Sequence, residues 1–104
     1  MNRSLLEKAI SIQNIEWRKH ALQRMFEREI SRDDVKNVIV IGEIIEEYKD
    51  DTPFPSALYF ALVNNRPLHV VAALNESEPK VFIITAYEPT LEKFESDFKT
   101  RRKL

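Results

Sequence analysis

Apolar residues recur every three or four positions through the first 42 residues of the chain, the spacing of amphipathic helices. The pattern breaks near Asn14 and again after residue 29, so it predicts three consecutive helices. They cover residues 4–12, residues 17–29 and the segment between Ser31 and Gly42. Ser31 is a favourable N-terminal cap for the third helix, and Gly42 suits the left-handed residue that often follows a helix.

After residue 42 the pattern changes to short apolar runs separated by turn residues, which predicts β-strands. Four strands are expected, at residues 43–49, 57–63, 67–74 and 80–88. The connection Asn64-Asn65 predicts a tight hairpin, because asparagine tolerates the positive φ angles of such turns. The last two strands are apolar on both faces and are expected in the middle of the sheet. The first strand is rich in charge and is expected at an edge.

The C-terminal segment, residues 89–104, returns to helical spacing through Leu91, Phe94 and Phe98. Pro89 suits the first turn of such a helix. Because the strands are joined by short connections, they are expected to pair antiparallel. The predicted fold class is therefore α+β: N-terminal helices, then a four-stranded antiparallel sheet and a C-terminal helix, in one domain over residues 1–104.

Composition narrows the functional classes. The chain has 16 basic and 17 acidic side chains and a net charge of −1, which argues against broad, nonspecific binding to nucleic acid. It has no cysteine, which excludes disulfides, zinc–thiolate sites and thiol nucleophiles, and its single glycine excludes a glycine-rich phosphate loop. No apolar run approaches the length of a membrane span, and Glu7 and Lys8 interrupt the N-terminal apolar residues, so a cytoplasmic location is expected.

The second predicted helix carries a cationic cluster. His20, Arg24 and Arg28 lie at i, i+4 and i+8 and, with Glu27, share an arc of about 100° on the helix. The adjoining arc, expected to face the core, carries Ala21, Leu22, Met25 and Phe26. An imidazole beside two guanidiniums suits phosphodiester chemistry, since histidine transfers protons near neutral pH and arginine binds phosphate. The alternative is a solvated helix face with ordinary ion pairs, such as Glu27 with Arg24.

Two further candidates lie on the predicted strands. His69 occupies a strand expected to be central, where a histidine is most often buried and hydrogen-bonded. Alternatively, His69 has a functional role and approaches His20 from the sheet side as its partner. Tyr87 ends the last strand, where it is either an acid or base in metal-free RNA cleavage or a tyrosine packed at the sheet edge.

Two charged segments remain. Asp50 and Asp51 could ligate a metal, but a turn role is favoured because neighbouring carboxylates rarely point the same way. The basic tail Lys99–Lys103 favours solubility, or contact with phosphates or an acidic partner. We therefore expect neither a metal nor a cofactor.

Four stretches, in order, resemble a known family. "HALQRMFEREIS", "GEIIEEY", "RPLHVV" and "ITAYEP" are similar to the small bacterial proteins grouped as DUF4258. The resemblance covers about residues 10–102, with one departure at Glu29, where the pattern after "MFER" has glycine.

The resemblance implies a size and element order similar to the RelE-like and MqsR-like toxins, and hence a RelE-like or microbial-RNase-like fold. It also implies a metal-independent endoribonuclease that cleaves mRNA with the ribose 2′-hydroxyl as nucleophile. The implied partners are RNA or the ribosome, and an antitoxin of zinc-finger or helix-turn-helix type. The implied residues are His20 or Tyr87 for proton transfer, Arg24, Arg28 and Arg66 for stabilising charge on the phosphate, and Arg66 and His69 for binding the substrate.

A competing hypothesis comes from a different class: a non-catalytic domain that binds a protein partner, for example through the edge strand. The acidic stripe along the strand at residues 43–49 and the following turn would repel RNA if it bordered the site. The endoribonuclease hypothesis therefore requires that the acidic stripe lie away from the candidate residues, whereas the binding hypothesis does not.

Overall fold

The computed structural model describes residues 2–103. In this part of the chain three α-helices precede or alternate with five β-strands. Their bounds are α1 Arg3–Ser11, β1 Ile15–Trp17, α2 Lys19–Glu27, α3 Arg32–Ile41, β2 Glu43–Tyr48, β3 Ser56–Val63, β4 Arg66–Asn75 and β5 Lys80–Tyr87. None of these helices is long and apolar enough to cross a membrane.

The start of α3 is fixed locally, as predicted. The Ser31 hydroxyl accepts from the Asp34 amide at 3.0 Å, and the Asp34 carboxylate accepts from the Ser31 amide at 2.9 Å. These two bonds form a capping box.

The prediction for Gly42 is wrong, because its φ of −78° is extended and not left-handed. A Cβ at this position would lie 2.2 Å from the Val38 carbonyl oxygen and 2.6 Å from the Phe60 carbonyl oxygen. Real side chains do not tolerate such distances from backbone atoms. Glycine is required here because α3 ends directly against β3.

The sheet corrects the predicted four-stranded antiparallel arrangement. It has five strands in the order β1-β5-β4-β3-β2, and β1 pairs parallel with β5 while the other pairs are antiparallel. The strand β1 was missed because three residues are too short for a periodic signal, and Trp17 fits a helical pattern equally well. The predicted central places of β4 and β5 and the edge place of β2 are confirmed.

The predicted C-terminal helix is also wrong. After β5 the chain makes turns that fold back on themselves through the bridge between Phe94 and Arg101. The Asp97 carboxylate accepts from the Lys99 and Thr100 amides at 2.9 and 3.0 Å, and such a side-chain turn competes with helix formation. We call residues 89–103 the C-terminal strap; the last residue of the predicted helix lies outside the described residues.

The helices cover one face of the sheet and form the main core with it. In α2 the inward ridge runs through Ala21 and Met25, which are buried. Phe26, expected to face the core, is 87% exposed, because one residue of helix turns it about 100° away from Met25. The opposite face of the sheet is covered by the strap and by the β2–β3 loop, whose Phe54 stacks on Phe82 at 5.3 Å.

Candidate functional site

A groove of about 670 Å³ lies where the C-terminal end of α2, the start of β4, the end of β5 and the strap meet. Its lining residues are Arg28, Arg66, Tyr87, Glu88, Thr90, Lys93, Phe94 and Arg101. We call it the basic groove, because its lining holds four cationic side chains and one carboxylate among the described residues.

The end of α2 fixes two of these arginines. Glu29, with a φ of 56°, ends the helix in a left-handed turn. The Arg28 and Glu29 carbonyls accept from the Arg66 guanidinium at 2.5 and 2.6 Å, and Glu88 accepts from its Nε at 3.0 Å. Arg28 in turn donates from Nη1 to the Ala86 carbonyl at 2.9 Å. Both side chains are therefore held at the groove by backbone acceptors.

Tyr87 reaches the groove from β5, and its partner in the sheet register is His69 on β4. The His69 ring is fully buried, with Nε2 at 2.6 Å from the Phe98 carbonyl oxygen and Nδ1 at 3.3 Å from the Tyr87 hydroxyl. A carbonyl oxygen accepts only, so Nε2 carries a hydrogen and donates it. In the neutral ring Nδ1 is then an acceptor, and the Tyr87 hydroxyl donates to it.

Burial sets the protonation of this pair. The rings of Phe94 and Phe60 meet the His69 ring edge-on, at centroid distances of 4.6 and 5.7 Å. Burial lowers the pKa of His69, although the Phe98 carbonyl opposes this shift, so the neutral ring is favoured near pH 7. Burial also raises the pKa of Tyr87, so its hydroxyl keeps its proton.

The strap is tied across the sheet to β2. Arg101 donates from Nε and Nη2 to the two carboxylate oxygens of Glu46, at 2.6 and 3.2 Å. Its guanidinium also lies over the Phe94 ring, 5.0 Å from the centroid. Lys99 pairs with Glu43 at 2.9 Å. The hydrogen bond from Arg101 lowers the pKa of Glu46, which therefore stays ionised and holds Arg101 at the groove edge.

The structure brings together one part of the candidate set predicted from the sequence. Arg28, Arg66 and Tyr87 line the basic groove. His69 lies directly behind Tyr87, and its buried ring reaches the groove only through that hydroxyl. Its predicted contact with a substrate would have to be made through Tyr87.

The other part of the set lies elsewhere. His20 and Arg24 are exposed on α2 and are not lining residues of the groove. Two helical turns separate His20 from Arg28, a distance of about 12 Å along the axis. Arg24 pairs with Glu27 at 4.0 Å between exposed side chains, as the solvated-face alternative describes.

Two cationic residues of the groove, Lys93 and Arg101, are not in the candidate set predicted from the sequence. A helix over residues 89–104, as predicted, gives no reason to place Lys93 and Arg101 beside β5. No local pattern in the sequence indicates that the strap returns to the sheet. The usable signal was the basic tail, for which contact with phosphates was one expectation. Within residues 2–103 no group of three or more histidine, aspartate or glutamate side chains is arranged to hold a metal ion.

Comparison with known proteins gives one match. A family model described as a domain of unknown function, DUF4258, matches residues 17–88. No curated protein and no solved structure matches the chain. The matched region runs from the end of β1 to Glu88 and includes the groove residues Arg28, Arg66 and Tyr87. The strap, with Lys93 and Arg101, lies beyond its end.

Proposed function

Because the chain belongs to the DUF4258 family, whose matched region supplies one wall of the basic groove, we propose that this groove binds and cleaves RNA without a metal. The observation that carries the proposal is the Tyr87 side chain, which lines a groove together with four cationic side chains and whose hydroxyl is hydrogen-bonded to a histidine behind it. Such a groove suits a phosphodiester, since guanidiniums bind phosphate oxygens and tyrosine can transfer protons.

In the proposed reaction the ribose 2′-oxygen attacks the neighbouring phosphorus and the bond from phosphorus to the 5′-oxygen breaks. Tyr87 accepts the proton of the 2′-hydroxyl as it releases its own, and the departing 5′-oxygen takes a proton from water. The hydroxide that remains takes up the proton that Tyr87 released. The products are a 2′,3′-cyclic phosphate and a 5′-hydroxyl. Arg28, held at its Nη1 by the Ala86 carbonyl, stabilises the charge that develops on the phosphate oxygens, with Arg66 beside it.

The slightly acidic composition does not oppose this proposal at the groove itself. Glu88 is the one carboxylate in the lining, and it pairs with Arg66 at 3.0 Å. The acidic stripe on β2 is partly neutralised, because Glu43 pairs with Lys99 and Glu46 with Arg101. The local charge at the groove is therefore positive although the net charge of the chain is −1.

As the toxin of a toxin–antitoxin pair, the protein would act on cytoplasmic mRNA, free or on the ribosome. Its antitoxin, of zinc-finger or helix-turn-helix type, would inhibit it most directly by covering the basic groove. The charge of the lining favours an acidic segment of the antitoxin for that contact.

The test is cleavage of a single-stranded RNA oligonucleotide by the purified protein in excess chelator. We expect cyclic-phosphate ends, a loss of about 10²- to 10⁴-fold in Tyr87→Phe, and a loss of about 10²- to 10³-fold in Arg28→Ala. A matched control for the second variant is Arg18→Ala, which removes an exposed arginine outside the groove and should retain cleavage. An equal loss in Arg18→Ala, or cleavage unaffected by Tyr87→Phe, would contradict the proposal.

A second candidate function is non-catalytic binding of a protein partner. It is favoured by β2, a six-residue strand at the sheet edge whose sheet partner is β3. An extended segment of a partner can add to such an edge by backbone hydrogen bonds. Wild-type protein that neither binds nor cleaves RNA, and that does not slow growth when expressed, would favour this function over the first.

A further inference from the structure

We propose that His69 is a positioning residue that directs the Tyr87 hydroxyl, and so determines whether Tyr87 takes or gives a proton in the basic groove. The inference rests on the proposed function for its consequence, but not for its geometry. It assigns His69 a role distinct from contact with the substrate, which its complete burial prevents.

The Phe98 carbonyl fixes which nitrogen of His69 carries the hydrogen. This oxygen lies 2.6 Å from His69 Nε2 and accepts its hydrogen, so in the neutral ring Nδ1 is unprotonated. Nδ1 faces the Tyr87 hydroxyl at 3.3 Å, which must therefore point its hydrogen inward. The lone pairs of the Tyr87 oxygen are then left for the groove. In this state Tyr87 is a proton acceptor towards a bound substrate.

A tyrosine that keeps its proton can accept another only by passing its own on. Burial raises the pKa of Tyr87, so phenolate is not the resting form, and His69 Nδ1 is the acceptor in line with its hydroxyl. In the reaction, the proton of the 2′-hydroxyl moves to Tyr87 as the Tyr87 proton moves to His69. The hydroxide left when water protonates the 5′-oxygen takes that proton back through Tyr87. No proton is gained or lost overall.

Protonation of His69 reverses this direction. With hydrogens on both ring nitrogens, Nδ1 donates to the Tyr87 oxygen, and the Tyr87 hydrogen turns towards the groove. The charged groups that face His69 are Glu46 on β2, which favours the imidazolium, and Arg101 on the strap, which opposes it. Burial acts in the same direction as Arg101, outweighs Glu46 and the Phe98 carbonyl, and lowers the pKa of His69. We therefore expect cleavage to fall with pH only below the usual range of histidine.

The hydrogen-bond geometry of His69 is tested by nitrogen NMR of the histidine rings, which requires no measurement of RNA cleavage. The variant His20→Gln leaves His69 as the one histidine of the chain. At pH 7.5 we expect a neutral ring protonated at Nε2, with an Nδ1 signal that shifts when Tyr87→Phe is added. A ring protonated at Nδ1, or an Nδ1 signal indifferent to Tyr87→Phe, would overturn the proposal whatever the protein does to RNA.

The consequence is tested by the pH profile of RNA cleavage in wild type and His69→Gln. The glutamine amide keeps a donor for the Phe98 carbonyl but does not titrate. We expect kcat to fall about 10- to 100-fold with KM changed less than about twofold, and the acidic limb of the kcat profile to disappear. An acidic limb that persists in His69→Gln, or a loss confined to KM, would contradict a positioning role.

The two proposals fail in different ways. Wild-type protein without RNA cleavage refutes the proposed function and leaves the NMR result as the test of the hydroxyl direction. Cleavage that depends on Tyr87 but not on His69 supports the proposed function and refutes the positioning role.

Discussion

At the scale of single residues, Glu29 is the position where the chain departs from its family resemblance and also one of the positions with a left-handed backbone. Its amide donates to the Phe26 carbonyl and the Ile30 amide to the Met25 carbonyl, the two bonds of a Schellman motif. That motif places Glu29 at a φ of 56°, which favours glycine. The strained turn presents the carbonyls that hold Arg66 at the groove.

Replacing Glu29 with glycine should therefore stabilise the protein. We expect the free energy of unfolding to rise by about 0.5–1 kcal/mol, because relief of the left-handed strain exceeds the entropy cost of glycine. The control is Gln23→Gly within α2, where the same change should lower the free energy of unfolding by about 1 kcal/mol. Urea unfolding measures the free energy of unfolding of both variants. A value for Glu29→Gly below that of the wild type would contradict backbone strain at Glu29.

Residue-scale signals were predictive where their cause is local. Positive φ angles of 53° and 64° at Asn64 and Asn65 confirm the tight hairpin, and Ser31 caps α3 as its sequence indicates. The sequence could not separate Arg28 from Arg24, since helical spacing treats them alike. What separates them is the Ala86 carbonyl, 58 residues further along the chain, which the groove wall places beside Arg28 alone.

At the scale of elements, the strap is where local spacing misled most. Leu91, Phe94 and Phe98 recur at helical intervals, but Phe94 is buried, Phe98 is half-buried and Leu91 is 53% exposed. The strap is instead defined by contacts with other elements: the bonds of Arg101 to Glu46 on β2 and of Phe98 to His69 on β4. Such contacts between distant segments have no periodic signature in the sequence, and the same is true of β1.

Two truncations distinguish the strap from a helix with one apolar face. Phe94→Ala should lower the free energy of unfolding by about 3–5 kcal/mol, because it removes a ring buried against His69. Leu91→Ala should change it by no more than about 0.5 kcal/mol, since that side chain is largely exposed. Chemical denaturation measures the two variants side by side, and similar losses in both would indicate a helix packed through its whole apolar stripe.

At the scale of the whole molecule, charge is distributed so that a nearly neutral chain has one positive groove. The cations come from three separate parts of the chain: the end of α2, the start of β4 and the strap, which supplies two of them. Their carboxylate partners, Glu88 and Glu46, orient Arg66 and Arg101 but also reduce the charge available to a ligand. The field is therefore short-ranged, and attraction should depend on close contact more than on the net charge of the protein.

Binding of single-stranded RNA should accordingly show only a moderate dependence on salt. With two to four phosphates contacted, the logarithm of the binding constant should fall with the logarithm of the salt concentration at a slope between about −1.4 and −2.8. Fluorescence anisotropy of the Tyr87→Phe protein, which binds without cleaving in the proposed mechanism, measures this slope. A slope near zero would mean that the groove does not contact the RNA backbone.

The parallel pairing of β1 with β5 also has a consequence for synthesis of the chain. Residues Ile15–Trp17 find their sheet partners at Val81–Ile83, so the first strand stays unpaired until those later residues have emerged from the ribosome. The hydrogen bond of Arg28 likewise forms only after Ala86 has been synthesised. The His69 ring, which is hydrogen-bonded to Tyr87, is oriented only after Phe98 has been synthesised. Because contacts of such long sequence separation form late, an incomplete nascent chain would lack the groove. The order of translation thus delays assembly of the groove until residues 81–101 have been synthesised.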